Sequence, residues 1–213
     1  MIDTAVPAVP LAAAPAGRRV VGATRLDADA HDAEHLLADL VRVVAANDPS
    51  VVACTHLVSS PWRHVAVSVS FAAAGPAGPE LVAGLAAALG EDVALAAIGP
   101  GPVTLHRGPD QGRRGAREAA VEHATRSEGK VVVFPGQQAL VGELPLAEVL
   151  TASAVEQIEC LSGAYEPDST LRVVGGFVRP RLRAGAMVLH CSSPGPRELV
   201  PWEMENPPQC GGH

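Results

Sequence analysis

The sequence predicts an α+β fold, with a ferredoxin-like β-α-β-β-α-β N-terminal half followed by a strand-rich α+β C-terminal half. Of the 213 residues, 47% are hydrophobic and 18% are charged, so the chain can build a sizeable core. Apolar residues recur at helical spacing in some segments and at alternate positions in others. Because helices and hairpins alternate without strict β-α-β units, the element order favours α+β over α/β.

The N-terminal half is predicted from these two kinds of spacing. Leu36, Leu37 and Leu40 share one face of a helix that ends before Pro49. Residues 64–71 alternate valine or phenylalanine with small polar side chains and histidine, as a half-buried strand does. A helix that begins at Pro79 closes at Gly90. The predicted elements are strand 19–24, helix 32–46, strands 51–57 and 64–71, helix 79–90, and strands 93–98 and 103–106.

The C-terminal half is predicted to contain more strands than helices. Its elements are helix 113–127, strands 130–134 and 138–141, helix 146–150, strands 171–178 and 184–191, and a short strand near Leu199. A segment rich in glycine and arginine, residues 108–115, marks the boundary between the halves. We therefore divide the chain into a flexible N-terminal tail at 1–17, the ferredoxin-like half at 18–108, a second α+β half at 113–200, and a C-terminal tail at 201–213.

Charge and cysteine content restrict the partners and the compartment. The net charge is −7 and no dense basic stretch is present, which argues against nucleic acid as a partner. No run approaches the roughly 20 apolar residues that span a bilayer, so we expect no membrane association. Four scattered cysteines without a Cys-x-x-Cys pair indicate a reducing cytoplasm. A homodimer is compatible with this fold class, but no residue pattern tests it.

Common catalytic signatures are absent, with one short exception. Neither a Gly-x-Ser-x-Gly elbow nor a Walker A or dinucleotide-binding pattern occurs, so no nucleotide cofactor is indicated. His31-Asp32-Ala33-Glu34-His35 resembles the inverted zinc-peptidase pattern, in which two histidines one helical turn apart share a zinc ion. Both histidines lie opposite the apolar face of the predicted helix, so an exposed first turn is the alternative.

The C-terminal residues Cys210-Gly211-Gly212-His213 are the first candidate site. Thiolate and imidazole are good ligands for transition metals, zinc above all, and the two glycines let both groups reach one ion. His190, at the end of a predicted strand, is the expected third ligand, while Cys191 on the opposite strand face fits the core. Trp202 would dock the tail onto the domain. A frayed tail without function is the alternative.

Arg179, Arg181 and Arg183 are the second candidate site. At i, i+2 and i+4 of an extended segment, the three guanidinium groups share one face and can bind a carboxylate or phosphate. Pro180 keeps the segment extended and off a central strand. The alternative is a solvated sheet edge.

Two functions remain open from the sequence. The first is a cytoplasmic enzyme of small-molecule metabolism that acts on an anionic substrate, with the metal on His190, Cys210 and His213. Glu203 and Cys210 would be its catalytic groups. The second is a non-enzymatic ligand-binding or regulatory module, with its site on the polar strand face of His64, Ala66, Ser68 and Ser70. Cys54 and His56 share a face of the preceding strand, where a structural histidine is the expected role.

Overall fold

One large sheet runs through the described part of the chain. The computed structural model describes residues 15–26, 29–45, 47–59, 62–73, 78–99 and 104–203. Over these residues it has twelve strands, four α-helices and one short 3-10 turn. The combination of helices with a large mixed sheet confirms the α+β class. No helix of the described residues has the length and apolar character needed to cross a membrane.

The elements have the following bounds. The strands are β1 (Arg18–Thr24), β2 (Val52–Val58), β3 (His64–Ala72), β4 (Ala94–Ile98), β5 (Thr104–Arg107), β6 (Lys130–Val133), β7 (Gly142–Pro145), β8 (Gln157–Cys160), β9 (Thr170–Val173), β10 (Arg181–Arg183), β11 (Ala186–Gly195) and β12 (Glu198–Pro201). The helices are α1 (Ala30–Ala45), α2 (Pro79–Leu89), α3 (Asp110–Thr125) and α4 (Leu146–Ala152).

The first five strands form an antiparallel region in the order β5-β4-β1-β3-β2. Helices α1 and α2 cover one face of it, and their leucines pack against alternate residues of the strands, among them Val21, Val67 and Leu95. Burial of this aliphatic face is the main stabilising contribution in this half. The order of strands and helices along the chain agrees with the predicted one, while the ferredoxin-like topology stays a prediction.

Helix α3 lies on the opposite face of these strands. Its alanines pack against the other set of alternate residues, including Val20, Ala66 and Ala96. The helix approaches closely, since a Cβ atom added at Gly22 of β1 would lie 2.0 Å from the carbonyl oxygen of Ala116. The predicted boundary at residues 108–115 assigns this helix to the second half, but its packing partners are β1, β3 and β4.

The sheet continues through β6 into the C-terminal strands, in the order β2-β6-β10-β11-β12-β9-β7. Strand β8 pairs in parallel with β11 outside this path. A second aliphatic core, with Leu140, Leu171, Leu189 and Leu199, lies between these strands and α4. The turn between β10 and β11 has positive φ at both Ala184 and Gly185, as a two-residue hairpin of type I′ requires.

Several predicted strands of the C-terminal half are wrong in their details. Residues 137–139 form a 3-10 turn where strand 138–141 was expected, because Gly136 turns the chain in the left-handed region. Strand β9 ends at Val173 rather than at 178, since Gly175 and Gly176 both have positive φ. The expected strand 184–191 begins at Ala186 and runs on to Gly195, and strand β8 was missed.

The expectation that Pro180 keeps the segment of Arg181 and Arg183 off a central strand is also wrong. Strand β10 lies inside the sheet, between β6 and β11. Pro180 precedes this three-residue strand, so its missing N–H costs no ladder bond, and its carbonyl oxygen accepts a 2.8 Å bond from the Val131 N–H.

Candidate functional site

A polar strand face lies buried beneath α3. Strand β3 presents Ser68 on this face, and the neighbouring strand β2 presents Cys54 directly opposite it and His56 next to it. The expected ligand face of His64, Ala66, Ser68 and Ser70 is therefore not open to solvent, because each of its four side chains is buried. Small residues on α3 let the helix lie close enough to cover it.

Five side chains form what we name the buried cluster: Cys54, His56, Ser68, Glu122 and His123. Ser68 Oγ lies 2.7 Å from Nε2 of His56 and 2.6 Å from Nδ1 of His123. On the other side of His56, Nδ1 lies 2.8 Å from Oε2 of Glu122. Cys54 lies directly opposite Ser68 on the neighbouring strand. The relative exposure is 0% for Cys54 and Ser68, 2% for His56 and 4% for His123.

One assignment of hydrogens satisfies the chain from Glu122 to His123. The Glu122 carboxylate can only accept, so Nδ1–H of His56 donates to it. Nε2 of His56 then accepts from the Ser68 hydroxyl, whose oxygen accepts from Nδ1–H of His123. Buried polar groups are costly when unpaired, and this chain pairs them with one another.

The same cluster contains a group that can hold a metal ion. Cys54, His56 and His123 each offer one ligand atom, and these atoms all lie within 4.8 Å of one another. Thiolate and imidazole together are the ligands of zinc and other borderline or soft transition metals. Glu122 bonded to the far nitrogen of His56 matches the carboxylate–histidine arrangement that orients metal-bound imidazoles.

Burial keeps the Cys54 thiol and the His123 imidazole neutral when no ion is bound. Burial raises the pKa of the Cys54 thiol, and the nearby Arg126 and Ser68 offset only part of that effect. Burial also holds the pKa of His123 well below its ordinary value, with further lowering from His56, Arg18 and Arg126. A divalent cation would reverse this balance at the thiol, because a metal ion favours the thiolate.

A cleft of about 590 Å³ adjoins the cluster at His123. Arg18, Ser50, Ser70 and Arg126 supply its polar wall. Its aliphatic wall contains Val52, Pro135, Leu150, Val155, Leu182 and Met187. The cluster therefore has one member at the surface of a cavity large enough for a small organic molecule.

Comparison with protein-family models, curated proteins and solved structures finds no match. The chemistry of the site is therefore inferred from the geometry of its own side chains.

The site residues that were predicted from the sequence and that the structure describes lie together at another place. Arg179, Arg181, Arg183, His190 and Glu203 line a depression of about 260 Å³, which we name the arginine depression. Carboxylates contact some of these groups: Glu159 lies 3.2 Å from Nε2 of His190 and 3.7 Å from Arg183, and Glu203 pairs with Lys130 at 2.5 Å. Cys210 and His213, the predicted metal ligands of the tail, lie outside the described residues.

The predicted docking of the tail is described as far as Glu203. The backbone N–H of Trp202 donates a 2.9 Å hydrogen bond to the carbonyl oxygen of His190, but Trp202 is 58% exposed. Cys191 is buried in the C-terminal core, as expected. Near the other end of the chain, His31 and His35 are exposed as predicted, with their Nε2 atoms 3.1 Å apart.

The buried cluster was missed because it combines three elements that are distant in sequence. Cys54 and His56 were expected on one strand face, and they lie there, with His56 opposite Ala66. The partners that complete the cluster come from β3 and α3: Ser68, Glu122 and His123. The available signal was the small-residue stripe of α3 at 112, 115, 116, 119 and 120, whose helical spacing continues to His123 and marks it as buried.

Proposed function

We propose that the protein is a zinc-dependent enzyme of small-molecule metabolism that acts on an anionic substrate in the cleft. Cys54, His56 and His123 hold the metal in this proposal, and the cleft that His123 lines receives the substrate. The observation that carries it is the convergence of three buried ligand atoms within 4.8 Å of one another, with His123 in the wall of the 590 Å³ cleft. The metal would supply Lewis-acid chemistry and an activated water.

The donor set supports this assignment. His56 Nε2 and His123 Nδ1 are both directed at the Ser68 hydroxyl, and Cys54 lies opposite Ser68 across the strand pair. A bound ion would take over from Ser68 as the shared neighbour of the two imidazoles and would add the Cys54 thiolate as a third ligand. Three protein ligands leave one position of a tetrahedral zinc ion for water or substrate, which is the arrangement of catalytic sites.

A second candidate function is a non-enzymatic ligand-binding module with a structural metal or with no metal. The observation in its favour is that the three ligands are buried almost completely, as in closed structural sites. In this case the ion or the hydrogen-bonded chain would fix α3 on the sheet, and the cleft would bind its ligand without turnover.

The finer fold and compartment assignments belong to the same proposal. The strand order β4-β1-β3-β2, with α1 and α2 on one face, supports a ferredoxin-like N-terminal half. The thiols of Cys54, Cys160 and Cys191 are free, which supports a reducing compartment such as the cytoplasm.

Cobalt(II) titration of the metal-stripped protein tests the proposal. Cobalt replaces zinc in tetrahedral sites and becomes strongly coloured when a thiolate binds it. We expect saturation at one ion per chain, with a thiolate band that His123→Gln weakens strongly. His190→Gln is the matched control, because it removes a histidine from the arginine depression, and it should leave the titration unchanged. An uncoloured, non-saturating titration would exclude the metal centre and leave the metal-free binding module.

A further inference from the structure

The polar wall of the cleft contains an arginine, Arg18, that no carboxylate of the described residues contacts. Arg18 donates from Nη1 to Ser50 Oγ at 2.9 Å and from Nη2 to the backbone oxygens of Ser50 and Ser70 at 2.8 Å each. All of these acceptors are neutral. Burial lowers the pKa of Arg18, and the carboxylate of Asp48 opposes this only through space.

Asp48 is held by other groups. One oxygen accepts from the Ser50 N–H at 2.8 Å and from the Ser50 hydroxyl at 2.6 Å, and the other accepts from the Ala72 N–H at 2.7 Å. Among the described residues, no ion pair within 4 Å joins Asp48 to Arg18. Arg18 is thus a half-buried cation at the cleft surface, and its hydrogen-bond acceptors among the described residues are neutral oxygens.

The second arginine of the cleft is already neutralised. Arg126 forms a two-bond pair with Glu156, at 3.1 Å and 2.5 Å, and the Met187 N–H fixes the same carboxylate at 2.7 Å. The charged side chains that line the cleft, Arg18, Arg126 and Glu156, therefore leave one net positive charge, which matches a monoanion better than a doubly charged phosphate.

The remaining side chains that line the cleft indicate which organic group that anion carries. Leu150, Val155, Leu182 and Met187 form the facing wall, and no Phe, Tyr or Trp lines the cavity. Aromatic ligands and nucleobases gain from stacking on aromatic rings or on free guanidinium planes, whereas an aliphatic chain needs only apolar area. A cavity of about 590 Å³ is at the scale of a small organic molecule.

We infer that the cleft binds a short aliphatic monocarboxylate, with its carboxylate on Arg18 and its chain against the aliphatic wall. This inference rests on the proposed function in treating the cleft as the substrate site, and it adds the class of substrate. It does not need the metal, since Arg18 and the aliphatic wall are separate from Cys54.

Calorimetric titration of the purified protein with hexanoate, hexylamine and inorganic phosphate tests the inference. We expect saturable one-to-one binding of hexanoate, about tenfold or more weaker binding of hexylamine, and no competition by phosphate. Equal binding of hexylamine would overturn the assigned charge, and displacement of hexanoate by phosphate would overturn the monocarboxylate. No binding of hexanoate would overturn the inference as a whole.

Two variants locate the binding without disturbing the fold around Arg18. Leu150→Glu places a carboxylate at the aliphatic wall of the cleft and should weaken hexanoate binding by at least about tenfold. Leu161→Glu, a leucine of similar exposure outside the cleft, should leave it unchanged. Equal affinity in the two variants would show that hexanoate binds elsewhere.

Removal of the metal separates this inference from the proposed function. In the unaltered chain, hexanoate should bind equally well to the metal-stripped and the zinc-loaded protein. If removal of the metal abolishes hexanoate binding, the inference of a metal-independent carboxylate site is wrong. If metal binds but hexanoate does not, the proposed metal centre stands and the substrate class falls.

Discussion

The buried cluster beneath α3 and the arginine depression beside β10 use similar side chains in opposite surroundings. In the buried cluster, Cys54, His56 and His123 are at most 4% exposed, and both histidines bond to Ser68 within the cluster. In the arginine depression, the Arg183 side chain is 62% exposed and its partner Glu159 is 52% exposed. Water and salt screen charges at the second place but not at the first. The sequence pointed to the arginine depression because several of its residues are close together in the chain. The reactive groups of the buried cluster come together only when residues distant in the chain are buried against one another.

The approach of α3 to the sheet is what produces this difference, and Gly22→Ala tests it. A Cβ at Gly22 would lie 2.0 Å from a backbone oxygen of α3, so the helix has to move away from β1. We expect the free energy of unfolding in urea to fall by about 3 kcal/mol. Gly84→Ala is the control, since a Cβ there meets no atom within 4 Å and improves helix propensity. Equal stability of both variants would mean that α3 does not seal the cluster.

Ser68→Ala sharpens the comparison by removing one atom from the centre of the buried cluster. Without metal, both imidazoles lose the hydroxyl that pairs them, and each unsatisfied buried nitrogen is costly. We expect a loss of about 2 kcal/mol in the free energy of unfolding of the metal-stripped protein. The exposed Ser193→Ala should change it by less than about 0.5 kcal/mol. A loss as small as that of the control would show that Ser68 does not hold the chain together.

The ion pair of Arg126 with Glu156 is intermediate between the two regions in side-chain exposure. Its contribution to the free energy of unfolding should depend on pH. The hydrogen bond from Arg126 lowers the pKa of Glu156 below 4.5, burial opposes this, and the Met187 N–H adds to the lowering. A lowered carboxyl pKa contributes stability that is fully present above about pH 4.5 and is lost as pH falls through the folded value. Glu156→Gln should therefore destabilise the protein at pH 6 and much less at pH 3. The measurement is urea unfolding at both pH values, and an equal effect at both would contradict the assignment.

The smallest effect is expected in the arginine depression. Arg183 and Glu159 lie 3.7 Å apart and both are more than half exposed. Arg183→Gln should change the free energy of unfolding by less than about 0.5 kcal/mol, because exposed ion pairs contribute little. A loss of more than about 1 kcal/mol in thermal or urea unfolding would show that this depression is as tightly coupled as the buried cluster.

Local patterns in the sequence predicted most of the N-terminal elements but not how their faces are covered. The alternation in β3 correctly placed Val67 and Val69 on one face and Ser68 on the other. It could not show that the serine face is buried as well, since alternating polarity usually indicates one solvated face. Short strands such as β8 and β10 depend on pairing with distant residues, and three or four residues carry too little periodicity to predict them.

The donor types of the group that could hold a metal ion agree with the predicted ones, but the predicted ligands were other residues. A cysteine with two histidines was expected from Cys210, His213 and His190, where the first two residues are three apart in the chain. The described cluster has the same donor types from two strands and a helix, at positions 54, 56 and 123. Only the packing of α3 on β2 and β3 brings His123 close to Cys54 and His56. The spacing of these residues in the sequence does not predict that contact.

Metal content per chain, compared between Cys54→Ser and Cys210→Ser, tests the central claim most directly. Each variant removes one thiol, and each thiol belongs to one of the two possible centres. If the buried cluster holds the ion, the protein purified with zinc and its Cys210→Ser variant contain one ion per chain, and Cys54→Ser contains none. Loss of the ion in Cys210→Ser with retention in Cys54→Ser would contradict the account and place the metal at the C-terminal tail.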